Sequence, residues 1–216
     1  MATILMTLAE KKAPNKYECL INFLTFGRRG RIYTYIKENY LHKNQFLLDA
    51  GCGTGRFIEI ADATWVDHIG IDISEKMLQQ ARKRFFGRKS LPCLVRSSIT
   101  ALPLKLELFD IILCSLVLSE LNYEGVKKTL NEFHSCLKTN GILILVTESI
   151  PTSRIKRLVI NLLRFPAYII ATTFVKVPKH PIHDITTLLS TFGSIIDQKH
   201  YLNGHLTLFI IKKEAK

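Results

Sequence analysis

Apolar residues fall into two kinds of run along this chain. Short continuous runs, FLLDA (46–50), HIGIDI (68–73), FDIILC (109–114) and GILILVTE (141–148), predict buried strands. Between them lie stretches with apolar residues three and four apart. EKMLQQARKRFF (75–86) follows Ser74, a good N-cap, and predicts a helix. Tyr123 to Leu137 shows the same spacing through Val126, Leu130, Phe133 and Leu137. A shorter helix is expected from about Gly55 to Ala63, and a weak strand at 93–96. Asn140-Gly141 reads as a turn into the strand that follows. The order β-α-β-α-β-β-α-β argues for a parallel sheet with helices on both faces. The end of the chain departs from that order. Asp184 to Phe192 predicts a helix stopped by Gly193. SIIDQKHY and HLTLFIIKK then flank Leu202-Asn203-Gly204, a hairpin signal. A parallel sheet closed by an antiparallel hairpin is the expected fold.

Composition bounds this reading. The chain has 216 residues, 47% hydrophobic and 22% charged, which suits one domain or one domain with a lid and excludes a disordered chain. Eleven glycines without a period exclude a collagen-like sequence, and no internal repeat is seen. The cysteines, Cys19, Cys52, Cys93, Cys114 and Cys136, are odd in number and form no C-x-x-C pair. Neither a disulfide framework nor a zinc site is expected, and a reducing compartment is. MATILMTLAEKK has no basic region ahead of its short apolar run, so no secretory signal is expected there. No uninterrupted apolar stretch reaches the length of a membrane span. A cytoplasmic protein is the expectation.

The formal net charge of +12 is unevenly placed. Residues 47–139 hold twelve basic and eleven acidic residues, whereas 1–46 hold eight against three and 140–216 ten against four. Arg28, Arg29, Arg31 and Arg154, Lys156, Arg157 form the densest groups. Such flanks suit either a solvated surface or an anionic partner: a phosphorylated substrate, an anionic membrane surface or RNA. No aromatic-interleaved basic stripe or RNA-binding motif accompanies them, so nucleic acid ranks last.

The chemistry-bearing motif is Asp49-Ala50-Gly51-Cys52-Gly53-Thr54-Gly55, at the C-terminal end of the first strand. Open α/β sheets bind ligands at that edge. Glycines there permit positive φ and let a ligand approach the backbone. Asp72, ending the second strand 21 residues after Gly51, is placed to accept hydrogen bonds from two ribose hydroxyls. The spacing is tighter than in a dinucleotide fingerprint. Asp49, two residues before the first glycine, disfavours a pyrophosphate and suits a ligand with a positive amino-acid head.

LLDAGCGTGRF, GIDIS, ALPL…FDIILCSLVL and LKTNGILILVTES together resemble the successive motifs of class I S-adenosylmethionine-dependent methyltransferases. The resemblance implies an α/β, Rossmann-like seven-stranded sheet of order 3-2-1-4-5-7-6 with strand 7 antiparallel. It also implies that Gly51, Gly53 and Gly55 line the methionine and ribose, that Asp72 binds the ribose and that Asp49 orients the amino-acid moiety. The expected cofactor site comprises Asp49, Gly51, Cys52, Gly53, Gly55, Asp72, Ile73, Ser98, Ile99, Cys114 and Ser115. Ser98, beside Ile99, stands where the family usually has an Asp, a departure at the adenine side. YECLINFLTFGRRGRIY (17–33) resembles the N-terminal segment of ubiquinone/menaquinone biosynthesis methyltransferases and the Gly-Arg-Arg element of bacterial phospholipid N-methyltransferases. Glu18 replaces Asp, and Tyr33 lies near the usual Trp. The likeness implies a helical lid over 1–45, a methyltransferase domain over 46–216, and Tyr17 and Gly27 near cofactor and substrate.

Methyl transfer from a sulfonium is an in-line displacement that mainly requires alignment and exclusion of water. A base is needed only by some acceptors. No base is singled out by the sequence. His183, His180, Glu148 and Tyr123 lie near strand ends or lids, and His183 and Tyr17 are the candidate substrate contacts. The Asn/Asp-Pro-Pro-Tyr motif of exocyclic-amine methyltransferases and a Pro-Cys nucleophile are both absent. RIKRLVINLLRFPAYIIATTFVKVPKHP (154–181) is basic, then apolar, and suggests a lid insertion at about 151–181. It would cover an apolar substrate or sit at a membrane surface. Methyl transfer to a small apolar acceptor, a quinone precursor or a lipid, is the leading expectation. Phospholipid head-group N-methylation and a non-catalytic scaffold subunit are the alternatives.

Overall fold

A computed structural model describes residues 18–19, 21–22, 25–61, 67–88, 91–149 and 185–214. Five helices and seven strands alternate along them: α1 (Arg28–Tyr40), β1 (Phe46–Ala50), α2 (Arg56–Ala61), β2 (Asp67–Asp72), α3 (Glu75–Phe85), β3 (Cys93–Arg96), β4 (Phe109–Ser115), α4 (Tyr123–Cys136), β5 (Leu137–Glu148), α5 (Ile185–Phe192), β6 (Ser194–Tyr201) and β7 (Leu206–Lys212). Short 3-10 turns at Leu118–Glu120 and Leu202–Gly204 complete the set.

The strands form one sheet of order β3-β2-β1-β4-β5-β7-β6. Pairing is parallel from β3 to β5 and antiparallel across β5–β7 and β7–β6. The strand order reverses between β1 and β4, and the glycine turn opens there. Apolar runs are continuous because both faces are covered. Ala50, Ile112, Leu143 and Leu145 pack with α4 and α5 on one face. Leu47, Ile111, Leu113, Ile144 and Leu208 pack with α1 and α2 on the other. Edge strand β6 alternates exposed and half-buried residues instead. It is tied to α1 by the hydroxyls of Tyr35 and Tyr40, which both donate to Asp197 Oδ2 at 2.8 Å.

Two helix starts are capped, the first of them as the sequence implies. Ser74 Oγ accepts from Met77 N at 3.4 Å, and Asn122 Oδ1 accepts from Gly125 N at 2.8 Å. The Asn140-Gly141 turn is corrected. These residues form a bulge inside one long strand, with Asn140 at φ 63°, because β7 extends far enough to pair with them: Asn140 N donates to Lys213 O at 3.1 Å and Lys213 N to Gly141 O at 2.9 Å. The Arg28, Arg29, Arg31 group is also divided by the fold. Arg29 is buried, with its guanidinium 5.9 Å from the Tyr33 ring centroid, while its neighbours face solvent.

Lys213 is buried and its Nζ donates to the carbonyls of His134 (2.8 Å) and Leu137 (2.7 Å) at the end of α4. It gives these C-terminal carbonyls a charged donor. Lys213→Met keeps the apolar stem and removes both bonds. The expected loss is about 1–3 kcal/mol, read as a lower urea midpoint at unchanged slope.

Candidate functional site

The cleft lies at the C-terminal edge of β1, β2 and β4. Its walls include Gly51 and Gly53 of the glycine turn, Asp72 and Ile73 after β2, Met77 of α3, Ser97, Ser98 and Ile99 after β3, and Ser115, Leu116, Val117, Glu120 and Leu121 after β4. Seven of the residues expected at a cofactor site therefore meet in one depression. Backbone bonds shape the turn: Gly51 N and Cys52 N both donate to Ile71 O at 2.7 and 2.9 Å, and Gly55 N donates to Cys52 O at 2.9 Å.

The three glycines do different work. All have positive φ, at 78°, 54° and 75° for Gly51, Gly53 and Gly55. A side chain at Gly53 would meet nothing within 4 Å, so this residue borders open space. A Cβ at Gly51 would lie 2.3 Å from Val117 Cγ2, and one at Gly55 2.7 Å from the Phe85 ring. Gly55 thus lets α3 pack against the turn and does not line the cleft. Cys52 and Cys114 are likewise buried outside the cleft walls, in the apolar clusters beside the sheet, with burial raising both thiols.

Asp72 is almost fully buried and bridges two backbones. Its Oδ2 accepts from Gly53 N and its Oδ1 from Ser74 N, both at 2.8 Å. The carboxylate thus fixes the turn and borders the cleft. Asp49 lies deeper, 3% exposed, and its Oδ2 has no partner. A buried carboxyl oxygen without a donor is costly. Burial first, and the charge of Asp72 second, push the Asp49 carboxyl up to about 8. Between about pH 4 and pH 8 the folded protein keeps a proton that the unfolded chain has released. Stability therefore falls as pH rises through that window. Asp49→Asn should flatten this slope, measured from urea midpoints at about pH 5 and pH 8.

Above Asp49, Tyr33 of α1 donates through its hydroxyl to Ser115 Oγ at 3.1 Å. Burial raises the Tyr33 hydroxyl, which stays protonated and can hold that bond. Leu116 follows in the left-handed region at φ 61°, held by Leu116 N donating to Val146 O at 2.7 Å. Backbone strain in a branched residue at a cleft edge is a mark of a functional site. Ser98 Oγ accepts from Thr100 N at 3.2 Å and shares a hydrogen with Thr100 Oγ1 at 2.8 Å.

Of the cleft walls, sequence reasoning missed Met77, Ser97, Leu116, Val117, Glu120 and Leu121, and it gave Tyr33 no role in the site. Only the strand end at Ser115 could have signalled the four residues that follow β4. Tyr123, at the start of α4, and Glu148, at the exposed end of β5, are outside the cleft walls. Tyr17, His180, His183 and the insertion at about 151–181 lie outside the described residues. All five cysteines are free, and the described residues contain no metal-ligand cluster.

A glycine turn at the switch point and an antiparallel seventh strand give the chain an architecture similar to that of class I S-adenosylmethionine-dependent methyltransferases. Residues 48–145 match the methyltransferase domain family. The chain is 35% identical over 133 residues to an uncharacterized protein of Methanocaldococcus jannaschii, covering 62% of this chain and 54% of that one. It is 29% identical to a demethylmenaquinone methyltransferase of Symbiobacterium thermophilum, covering 69% of this chain and 61% of the relative. The chain thus spans a little over half the length of these relatives. The magnesium protoporphyrin IX methyltransferase of Synechocystis PCC 6803, solved with bound SAH, superposes with a TM-score of 0.71 at 18% identity, over 99% of this chain and 100% of that one. That likeness is one of fold.

Proposed function

We propose that the chain transfers a methyl group from S-adenosylmethionine to a small apolar acceptor, a quinone precursor or a lipid-like molecule. The observation that carries the reading is the unpartnered, buried Asp49 Oδ2 beneath a turn whose Gly53 is open to a ligand. An amino-acid ammonium supplies the donor this oxygen lacks, and Asp72 supplies acceptors for ribose hydroxyls. The cofactor brings an electrophilic methyl on a positive sulfonium. The chain's own part is to bind, orient and exclude water. Leu116, Val117 and Leu121 give the side of the cleft beyond β4 an apolar lining, which suits an apolar acceptor. The named menaquinone relative supports a quinone precursor within that class.

The decisive activity experiment is methyl transfer from labelled S-adenosylmethionine to a panel of demethylated quinones, phospholipid amines and phenols. Turnover confined to the quinones supports the reading. Cofactor binding without turnover on any acceptor supports a scaffold subunit. No helix among the described residues is long and apolar enough to cross a membrane. The basic flanks suit contact with an anionic surface, which predicts sedimentation with anionic vesicles that weakens with salt.

A further inference from the structure

Thr54 is the hydroxyl-bearing residue of the glycine turn, and it is gripped twice. Arg84 of α3 donates from Nε to Thr54 O at 2.9 Å. The Thr54 hydroxyl donates to Glu18 Oε1, and the same carboxylate oxygen receives Arg84 Nη2. Arg84 also pairs through Nη1 with Glu59 of α2 at 2.5 Å, and Glu59 takes Arg88 at 2.6 Å. Thr54 is buried, and Glu18 and Arg84 are only 24% and 19% exposed, so solvent screens this network incompletely.

Glu18 does not belong to the sheet domain's helices. It stands ahead of α1, in a short helical stretch whose Ile21 is buried. That stretch is joined to the start of α1: Gly27 N donates to Asn22 O at 2.8 Å, and Thr25 Oγ1 to Ile21 O at 2.7 Å. The α1 side therefore clasps the cleft at two points, Glu18 on Thr54 and Tyr33 on Ser115.

We propose that Glu18 is a positioning residue for the cofactor: its carboxylate, shared by Thr54 and Arg84, locks the glycine turn into its ligand-ready form and so raises cofactor affinity. The physical need is conformational. Three glycines in five residues leave the turn a wide choice of backbone states, and each must be narrowed before a ligand can use the open face at Gly53. Asp72 holds Gly53 N from the cleft side, and Glu18 holds Thr54 from the other. Releasing one clamp lowers the fraction of molecules in the binding-competent form, and apparent affinity falls by the same fraction.

The inference rests on the cofactor reading, yet one of its two tests does not. In the ligand-free protein, amide hydrogen exchange at residues 51–55 should quicken about tenfold in Glu18→Ala, with β4 unchanged. Equal exchange in wild type and variant overturns the inference whatever the ligand. The second test is a double-mutant cycle read by calorimetry with S-adenosylhomocysteine. Glu18→Ala and Thr54→Val should each weaken binding about five- to twentyfold, with the ligand-free unfolding midpoint nearly unmoved. The double variant should bind no more weakly than Glu18→Ala alone, because Glu18→Ala already removes the bond that Thr54→Val removes. Unchanged affinity, or fully additive losses, overturns the coupling. Wild-type protein that fails to bind at all overturns the cofactor reading itself.

Discussion

Asp72→Asn is expected to weaken S-adenosylhomocysteine binding by at least about 100-fold, the largest effect on affinity in the cleft. The carboxylate accepts Gly53 N with one oxygen and Ser74 N with the other. An amide keeps one acceptor and turns the second into a donor. One of the two backbone N–H groups then faces another N–H, and the ribose loses a charged acceptor. Hydrogen bonds to charged groups contribute about 1.5–3 kcal/mol each, and two such losses exceed the factor stated. The same substitution disturbs the start of α3, so circular dichroism and a urea midpoint must accompany the titration. A folded Asp72→Asn protein that binds within threefold of wild type would show that the ligand does not use this residue. Gly53→Val is expected to act in parallel. Its side chain enters the open space of the cleft, at φ 54°, where a β-branched residue is strained.

Gly193→Ala is expected to cost about 3 kcal/mol or more of stability, although it adds one methyl group far from the cleft. Gly193 joins α5 to β6, and an added Cβ would lie 2.1 Å from the carbonyl oxygen of Lys212 and 3.0 Å from its carbonyl carbon. Those atoms are backbone of β7. They cannot retreat without breaking the pairing of Ser194 with Lys212, where the β6–β7 ladder begins. Urea unfolding should show a much lower midpoint, or loss of soluble protein. A midpoint within about 0.5 kcal/mol of wild type would mean that the two strands do not meet this closely.

Gly193 also illustrates how far the sequence carried. It was legible as a helix stop, for the reason that glycines follow many helices in the left-handed region. Its φ is not positive, and the residue is small because two backbones meet there. The fold's outline was legible because its signals are local: an apolar run, a glycine turn, Ser74 at a helix start, and a hairpin turn ahead of β7. Part of the cleft's lining was legible for the same reason, since Gly51, Gly53 and Asp72 sit at or just after strand ends. Contacts between distant segments were not. Glu18 meets Thr54 36 residues away and Arg84 66 residues away, and no local pattern announces a bond of that kind. Leu116 gave no warning of a left-handed backbone, because leucine rarely adopts one. The bulge at Asn140-Gly141 was read as a turn because only the partner strand β7 shows that the ladder continues through it.

Asp49 is where fold and chemistry meet. Its strand position fixes it under the turn, its burial leaves one oxygen without a donor, and its carboxyl is pushed up to about 8. Near pH 7 the free protein therefore holds a proton there, and an ammonium–carboxylate pair requires that proton to leave. Titration of the wild-type protein with S-adenosylhomocysteine in phosphate and in Tris, buffers of different ionisation heat, measures both events at once. The expected result is saturable one-to-one binding with close to one proton released per site, and no release in Asp49→Asn. Folded protein that shows no saturable heat, or that binds with no proton exchange in either form, would contradict a zwitterion-binding site at Asp49.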